Sequence, residues 1–389
     1  MSPPAGYDKA KPGEVCRLKR SLYGLRQASR QWNKELSKFL KSLQFVQSKQ
    51  DYSLFTRTQN GEFLVLLVYV DDILITGTSL SQIEEVKRSL DSAFTIKDLG
   101  NLTYFLGIEV LRTDNGIFLS QKKYIKDILS DAGMLDCFTA PAPLSCGLKL
   151  STEVGDPLTE PDVFRSLVGR LLYLGITRPD LSYSVQHLSQ FIHCPRIPHL
   201  RAALHILKYL KGTLDHGLWY KADTDLQINA YSDSDWSSCQ FSSRSLSAYA
   251  VFLGSNLISW KTKKQHSVSK SSAEAEYRSM SATASELVWV QGLLEDLQVH
   301  VPLPVTLHCD NTSAQHLAQN PMFHEKTKHL KRDMHYVREQ VEEGFIQTAH
   351  VSSSQQIADV LTKPLVSAQH QLLCGKLGLI SKVQLEGGV

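Results

Sequence analysis

The sequence predicts an α/β protein in three parts, and three observations carry that expectation. The first is residues 63–77, FLVLLVYVDDILITG, where eight unbroken apolar or aromatic residues, two aspartates and a second apolar run read as two strands joined by a tight hairpin. The second is a run of helical patterns, residues 162–174, 179–191 and 198–211, behind a Pro- and Gly-rich loop at residues 139–161. The third is the order beyond Leu226: three short strands, a long helix, a strand, helices, a strand and a final helical segment. These patterns place the boundaries at 1–138, 139–225 and 226–389.

The totals agree with that division. A chain of 389 residues has material for two or three buried cores, and 42% apolar with 21% charged residues is ordinary for a globular protein. A net charge of +3 neither demands nor opposes a polyanionic partner, so the local clusters matter more. Lys9, Lys11, Arg17, Lys19, Arg20, Arg26 and Arg30 form one; Lys261, Lys263, Lys264 and Lys270 a second; Lys326, Lys328, Lys331 and Arg332 a third. Each reads as a solvated face by itself, and three of them beside carboxylate clusters suit a nucleic acid. The 7 cysteines form no C-x-x-C pair, which points to reduced thiols in an intracellular compartment and away from a cysteine-built zinc site. Residues 2–13 lack the apolar core of a signal peptide, and no apolar run approaches membrane-spanning length, so no membrane partner is expected.

Taken in order, residues 21–27 form a turn around Gly24. A helix follows that buries Trp32, Leu36, Phe39, Leu40 and Leu43 along one face. In the hairpin, residues 63–70 suit a strand buried on both faces, with Asp71 and Asp72 at the tip. Residues 79–94 read as a helix carrying Ile83, Val86 and Leu90. Residues 96–110 suit short strands, and Asn115–Gly116 marks a hairpin between 105–111 and 117–120. Residues 122–133 form a further helix. Pro179 opens the middle helix of the next group at a first-turn position, where its missing N–H costs nothing. Beyond Leu226 the strands are 226–233, 247–254 and 256–261. The long helix is 272–297, strands follow at 305–310 and 345–351, and the helices are one from Asn311, residues 330–342, and a segment at 355–361.

Carboxylates at the ends of these elements carry the chemistry. Asp71 and Asp72, adjacent at the rim of an apolar sheet, suit Mg²⁺, a hard cation that takes oxygen ligands and shares them with phosphate; the plain alternative is a polar turn. Asp233 closes the first strand of the last part, Glu276 lies early in the long helix, Asp310 closes the fourth strand and Asp359 opens the final segment. Singly, each has a neutral explanation as a turn or cap residue. If the first and fourth strands pair, all four meet at one rim, where their repulsion requires cations. Glu274, three residues after Ser271, fits a capping box instead. His324, His329 and His335 match no zinc-ligand spacing. His350 is either a structural histidine or a proton carrier near the last acidic segment.

Several stretches resemble one family. SLYGLRQASRQW (21–32), YVDD (69–72), YFLGIEV (104–110), SLVGRLLYLGITRPDLSYSV (166–185) and ALHILKYLKGT (203–213) resemble the C-terminal part of the Pol polyprotein of copia-like LTR retrotransposons. ISWKTKKQHSVSKSSAEAEYRSM (258–280) and NPMFHEKTKHLKRDMHYVRE (320–339) resemble the ribonuclease H domain of the same elements, and the likeness runs from residue 3 to about residue 378. It implies a reverse transcriptase fingers and palm part with the YVDD hairpin, a helical thumb and connection, and a mixed-sheet ribonuclease H-like domain. It implies that Asp71 and Asp72 are two of three metal ligands for RNA-directed DNA synthesis. Asp233, Glu276, Asp310 and Asp359 would hydrolyse RNA in an RNA–DNA hybrid. Two Mg²⁺ ions, or Mn²⁺, would serve each reaction.

By the same resemblance Gln27 and Arg30 line the template groove, and Lys264, Lys328 and Arg332 face the nucleic acid. The expected partners are the hybrid, a primer–template and a dNTP, in a cytoplasmic virus-like particle or the nucleus. Two departures qualify this. Asp71 stands 70 residues after Met1 with no aspartate on an apolar strand before it, so an N-terminally truncated polymerase site is expected. SSRSLSAY (242–249) replaces the family's usual run of Arg, Ser and Thr before Gly-Tyr. The competing expectation is a catalytically inactive remnant that at most binds nucleic acid.

Overall fold

In the computed structural model, which describes residues 2–3, 6–9, 11–19, 22, 24–239, 241–319 and 331–386, the chain divides into two units. One comprises residues 1–100 with 295–298, the other residues 101–294 with 299–389.

The first unit holds α1 (Ala28–Ser42), β1 (Val46–Gln47), β2 (Leu54–Gln59), β3 (Glu62–Tyr69), β4 (Asp72–Gly77) and α2 (Leu80–Phe94). Its four strands form an antiparallel meander in sequence order. Leu64, Leu66 and Val68 project with Phe55 onto Leu36 and Leu40 of α1 and Val86 and Leu90 of α2. Trp32 and Phe39 each meet Phe94 edge-on, at 5.0 and 5.1 Å between ring centres. The expectation that residues 63–70 are buried on both faces is corrected. Burial alternates along β3, because both helices join the core on one side, leaving Phe63, Val65 and Leu67 half-buried on the other. That alternation belongs to antiparallel sheets with one covered face, and strands buried on both sides belong to parallel sheets.

The second unit begins with β5 (Tyr104–Phe105), β6 (Ile108–Thr113), β7 (Gly116–Ser120) and α3 (Lys122–Asp131). Then come α4 (Pro161–Leu174), a 3₁₀ turn at Pro179–Leu181, α5 (Ser182–Ser189), α6 (Ile197–Gly212) and β8 (His216–Lys221). Next are β9 (Ile228–Asp235), β10 (Leu246–Leu253), β11 (Asn256–Lys264), α7 (Ser272–Asp296), β12 (Val305–Cys309), α8 (Thr312–Gln319), α9 (Lys331–Glu342) and β13 (Ile346–His350). It closes with α10 (Asp359–Thr362), α11 (Ser367–Lys376), β14 (Leu379–Ser381) and α12 (Lys382–Glu386).

The helices α3 to α6 pack through Ile125, Phe164, Val168, Val185, Ile206 and Leu210. Within them Arg178 and Asp180, both fully buried, form a two-pronged ion pair at 2.8 and 3.0 Å, and the Tyr209 hydroxyl donates to Asp180 at 2.7 Å. One sheet has the order β14-β8-β7-β6-β5, entirely antiparallel. It joins strands from either side of residues 138/139 and 225/226. β8 and β14 were not expected from the sequence.

The other sheet has the order β11-β10-β9-β12-β13, antiparallel among β9, β10 and β11 and parallel among β9, β12 and β13. This is the order expected of a ribonuclease H-like domain. On one face Tyr277, Met280, Ala284 and Leu287 of α7 pack on Ile228, Val251 and Leu307. On the other, Val360, Leu361 and Leu373 pack on Ala248, Ala250 and Phe252. Among the described residues no helix is long and apolar enough to cross a membrane.

Candidate metal centre

The parallel pairing of β9 with β12 sets the site. Leu307 pairs with Ala230 and His308 with Tyr231, and carrying that register two residues further brings Asp310 level with Asp233. Asp233 does not end its strand as expected: β9 runs on to Asp235, opposite Leu246, because β10 continues the ladder. Ser279 of α7 donates to the carbonyls of Asp233 and Ala248 at 2.9 and 3.1 Å, so the helix is tied to the strand that carries the aspartate. Glu276, three residues earlier on α7, then reaches the rim and accepts the Ser234 N–H at 3.2 Å. Ser271 caps the Glu274 N–H at 3.2 Å, and the Glu274 carboxylate accepts from Lys270 N–H, leaving Glu276 free of that capping role. Asp359 opens α10, held by Gln356, whose side chain donates to Ser232 O at 2.9 Å.

Asp233, Glu276 and Asp359 are buried, and Asp310 is half-buried. Burial, then the charges of Asp233 and Asp310, pushes Glu276 up to about 9. Burial, then Asp233, pushes Asp359 up to about 7 against the pull of Lys363. Asp233 is raised too, chiefly by burial. The physical cause is common to all three: anions taken from water and set against one another. Two groups that sequence reasoning missed offset part of this. Thr362 donates its hydroxyl to Asp233 Oδ2, and Lys363 Nζ lies 2.8 Å from Asp359 Oδ1. Lys363 stands four residues after Asp359 on a helical turn, a spacing that could have signalled the pair.

One ammonium does not balance four carboxylates, so the donor set fits divalent cations. Oxygens of Glu276 and Asp310 and the Cys309 sulfur lie within 4.8 Å of one another. Burial, then the Glu276 charge, pushes the Cys309 thiol up. It stays protonated, and the carboxylates are the donors suited to a hard cation. Ser353 donates to Asp310 at 3.0 Å, and His350, paired in register with Cys309, is exposed beside the rim.

At the hairpin, Tyr69 pairs with Asp72, so the two-residue turn is Val70–Asp71, and Asp72 already belongs to β4. Both aspartates are exposed. Val70 has a positive φ of 48°, unusual for a β-branched residue, and the Trp32 indole N–H donates to its carbonyl. That bond pins the turn to α1. Gln27, at the N-cap of α1, and Arg30, in its first turn, are exposed. Lys264, on β11, points its ammonium at Gln190 Oε1, 3.1 Å away, and at Cys239 Sγ, 2.7 Å away. Lys328, with His324 and His329, lies outside the described residues, as does the side chain of Arg332; His335 is exposed on α9.

Residues 1–146 match the family model described as reverse transcriptase (RNA-dependent DNA polymerase). The chain is 43% identical over 380 residues, 97% of its length, to the retrovirus-related Pol polyprotein from transposon RE1 of Arabidopsis thaliana. It is 43% identical over 390 residues, its whole length, to the corresponding RE2 polyprotein of the same plant. It spans about a quarter of each relative, 26% and 27%. A putative transposon Ty5-1 protein of Saccharomyces cerevisiae is 32% identical over 73% of this chain and 94% of its own length. Among solved structures, the N-terminal RNase H domain of a Mycobacterium tuberculosis protein aligns with 39% of this chain and 98% of that one, at 11% identity and a TM-score of 0.28.

Proposed function

The chain belongs to the family of copia-type retrotransposon Pol polyproteins, and on that premise we propose that it combines an RNA-directed DNA polymerase segment with a ribonuclease H that hydrolyses the RNA of RNA–DNA hybrids. The observation that carries the hydrolytic part is the meeting of Asp233, Glu276, Asp310 and Asp359 at one rim of the β11-β10-β9-β12-β13 sheet. Reverse transcriptases and ribonucleases H generally use divalent metal ions. In this reading the four carboxylates would hold two Mg²⁺. When bound, such ions polarise the phosphodiester and make water a better nucleophile.

The remaining work belongs to the chain. Thr362 fixes the direction of Asp233, and Lys363 opposes the rise that burial imposes on Asp359. The Ser279 and Gln356 bonds hold the end of β9 that carries Asp233 against α7 and the segment before α10. At the hairpin, the exposed Asp71 and Asp72 would be two of three ligands to a cation for nucleotidyl transfer, and Gln27 and Arg30, also exposed, would face the template. Lys328 and Arg332 are assigned to the hybrid by resemblance alone. The three functional parts, 1–138, 139–225 and 226–389, and a place in a virus-like particle or the nucleus, belong to the same proposal.

The test is Mg²⁺-dependent cleavage of a hybrid with labelled RNA. Asp310→Asn and Glu276→Gln should each slow cleavage at least about a hundredfold, the scale of losing roughly 3 kcal/mol of charge stabilisation, with hybrid binding retained. Cleavage that survives Asp310→Asn overturns the assignment. Binding without cleavage by the unaltered chain favours a nucleic-acid-binding remnant.

A further inference from the structure

We propose that Cys239 is a peroxide-reactive modification site: its sulfur, held by the Lys264 ammonium at the wall of a small pocket, is oxidised by hydrogen peroxide to a sulfenic acid. Asp233, Glu276, Asp310 and Asp359 are not among the residues that line the pocket, although Asp235 is. Cys239 sits in the loop between β9 and β10, Lys264 ends β11, and Gln190 follows α5. Lys264 Nζ bridges Cys239 Sγ at 2.7 Å and Gln190 Oε1 at 3.1 Å. An ammonium donating directly to a sulfur stabilises the thiolate, the form that acts as a nucleophile. The Cys239 backbone is tied by its N–H bond to Arg244 O at 3.2 Å and by the Ser243 N–H bond to its carbonyl at 2.8 Å. The sulfur is therefore held in register with the lysine.

The charged groups facing the pocket favour the anion, against one contact that favours the thiol, its donation to Gln190 Oε1 at 3.5 Å. Lys149, Arg244 and Lys264 line it against one acid, Asp235. Burial pushes the Tyr183 hydroxyl up to about 12, so it stays neutral. Burial, then the charges of His199 and Lys264, holds His187 down, so it is neutral too. Burial alone would raise the Cys239 thiol, but the Lys264 bond, then the Ser242 side chain and the N–H groups of Phe241 and Ser242, outweigh it and bring the thiol to about 7. Two other buried cysteines behave oppositely: burial pushes Cys309 and Cys374 up.

Size selects the oxidant. The cavity is about 100 Å³, room for a few water-sized molecules and not for a tripeptide disulfide. In the reaction the Cys239 sulfur attacks one peroxide oxygen. An S–O bond forms and the O–O bond breaks. Hydroxide leaves, takes a proton from the Lys264 ammonium and becomes water, and solvent reprotonates the lysine. The sulfur is oxidised by two electrons and the peroxide is reduced.

The experiment follows iodoacetamide labelling of the full chain, residue by residue, by mass spectrometry from about pH 5 to pH 10. Labelling of Cys239 should rise with a midpoint near 7. Lys264→Met should move that midpoint up by at least about one pH unit, slowing labelling at pH 7 roughly tenfold, and Lys264→Arg should restore it. With hydrogen peroxide and dimedone, the adduct should appear at Cys239 before the exposed Cys146 and Cys194. A Cys239 that stays unlabelled in the folded chain, or titrates as Cys146 does in both the unaltered chain and Lys264→Met, overturns the proposal. Cys309 and Cys374 report on folding: should Lys264→Met expose them, the unaltered chain's profile and the site of the dimedone adduct decide alone.

Discussion

The carboxylate of Asp233, a buried residue, accepts from the Thr362 hydroxyl. A hydrogen bond to a charged group contributes roughly 1.5–3 kcal/mol, so its loss should be visible in rate. Thr362→Val should slow hybrid cleavage roughly ten- to a hundredfold at saturating Mg²⁺, and Thr362→Ser should restore it; single-turnover rates on a labelled hybrid measure both. A second residue-scale prediction concerns Asp180. Burial opposes its charge, but Arg178, by charge and by hydrogen bonds, then His370 and Tyr209, outweigh burial and hold its carboxyl below the ordinary range. A carboxylate lowered by folding stabilises the fold above its unfolded pKa, about 3.9, and loses that contribution as pH falls through the lower folded value. Urea midpoints should therefore show no loss from this pair between about pH 7 and pH 5, with the loss starting only below about pH 4. Asp180→Asn leaves Arg178 buried without its counter-ion. It should cost about 3–5 kcal/mol at neutral pH and remove that acid-dependent step from the same urea series.

Among the elements, β8 separates what was legible in the sequence from what was not. The β3–β4 hairpin, α1, α7 and the β9–β10–β11 meander announce themselves because their partners are neighbours in the chain and their periodicity is local. β8, HGLWYK, pairs with β7 across about a hundred residues, Gly116 with Lys221, and β14 adds only Leu379–Ser381 on its other edge. No local pattern encodes such pairing, and a three-residue strand has no period to read. The carboxylates were legible because they sit at or near the ends of elements whose order was readable: Asp310 just past β12, Asp359 first in α10, Asp233 two residues short of the end of β9 and Glu276 in the first turns of α7. Thr362 and Lys363 were not, since their role depends on where α10 lands. Gly217 shows the constraint on β8 directly. A Cβ there would collide with Leu119 O and lie 2.8 Å from the Phe118 ring, in a sheet whose neighbour Leu218 is fully packed. Gly217→Val should destabilise the second unit by about 1–3 kcal/mol, read as a lower urea midpoint, with the first unit's transition unchanged.

Over the whole chain, the two sets of acidic residues belong to different units. Asp71 and Asp72 lie in the unit of residues 1–100 with 295–298, whereas Asp233, Glu276, Asp310 and Asp359 lie in the other. Each set is positioned by bonds made within its own unit: Trp32 to the carbonyl of Val70 in one, Ser279, Gln356 and Thr362 to β9 in the other. Substitutions that share no partner add in free energy to within roughly 0.3–0.5 kcal/mol, a factor of about two in rate. Replacing Asp71 and Asp72 together by Asn should therefore leave Mg²⁺-dependent hybrid cleavage within about twofold of the unaltered chain. Asp310→Asn should abolish cleavage while leaving the urea transition of the first unit in place. A loss of cleavage on replacing the hairpin aspartates, at unchanged folding, would mean that the hydrolytic site depends on the hairpin's charge and that the two sets do not work independently.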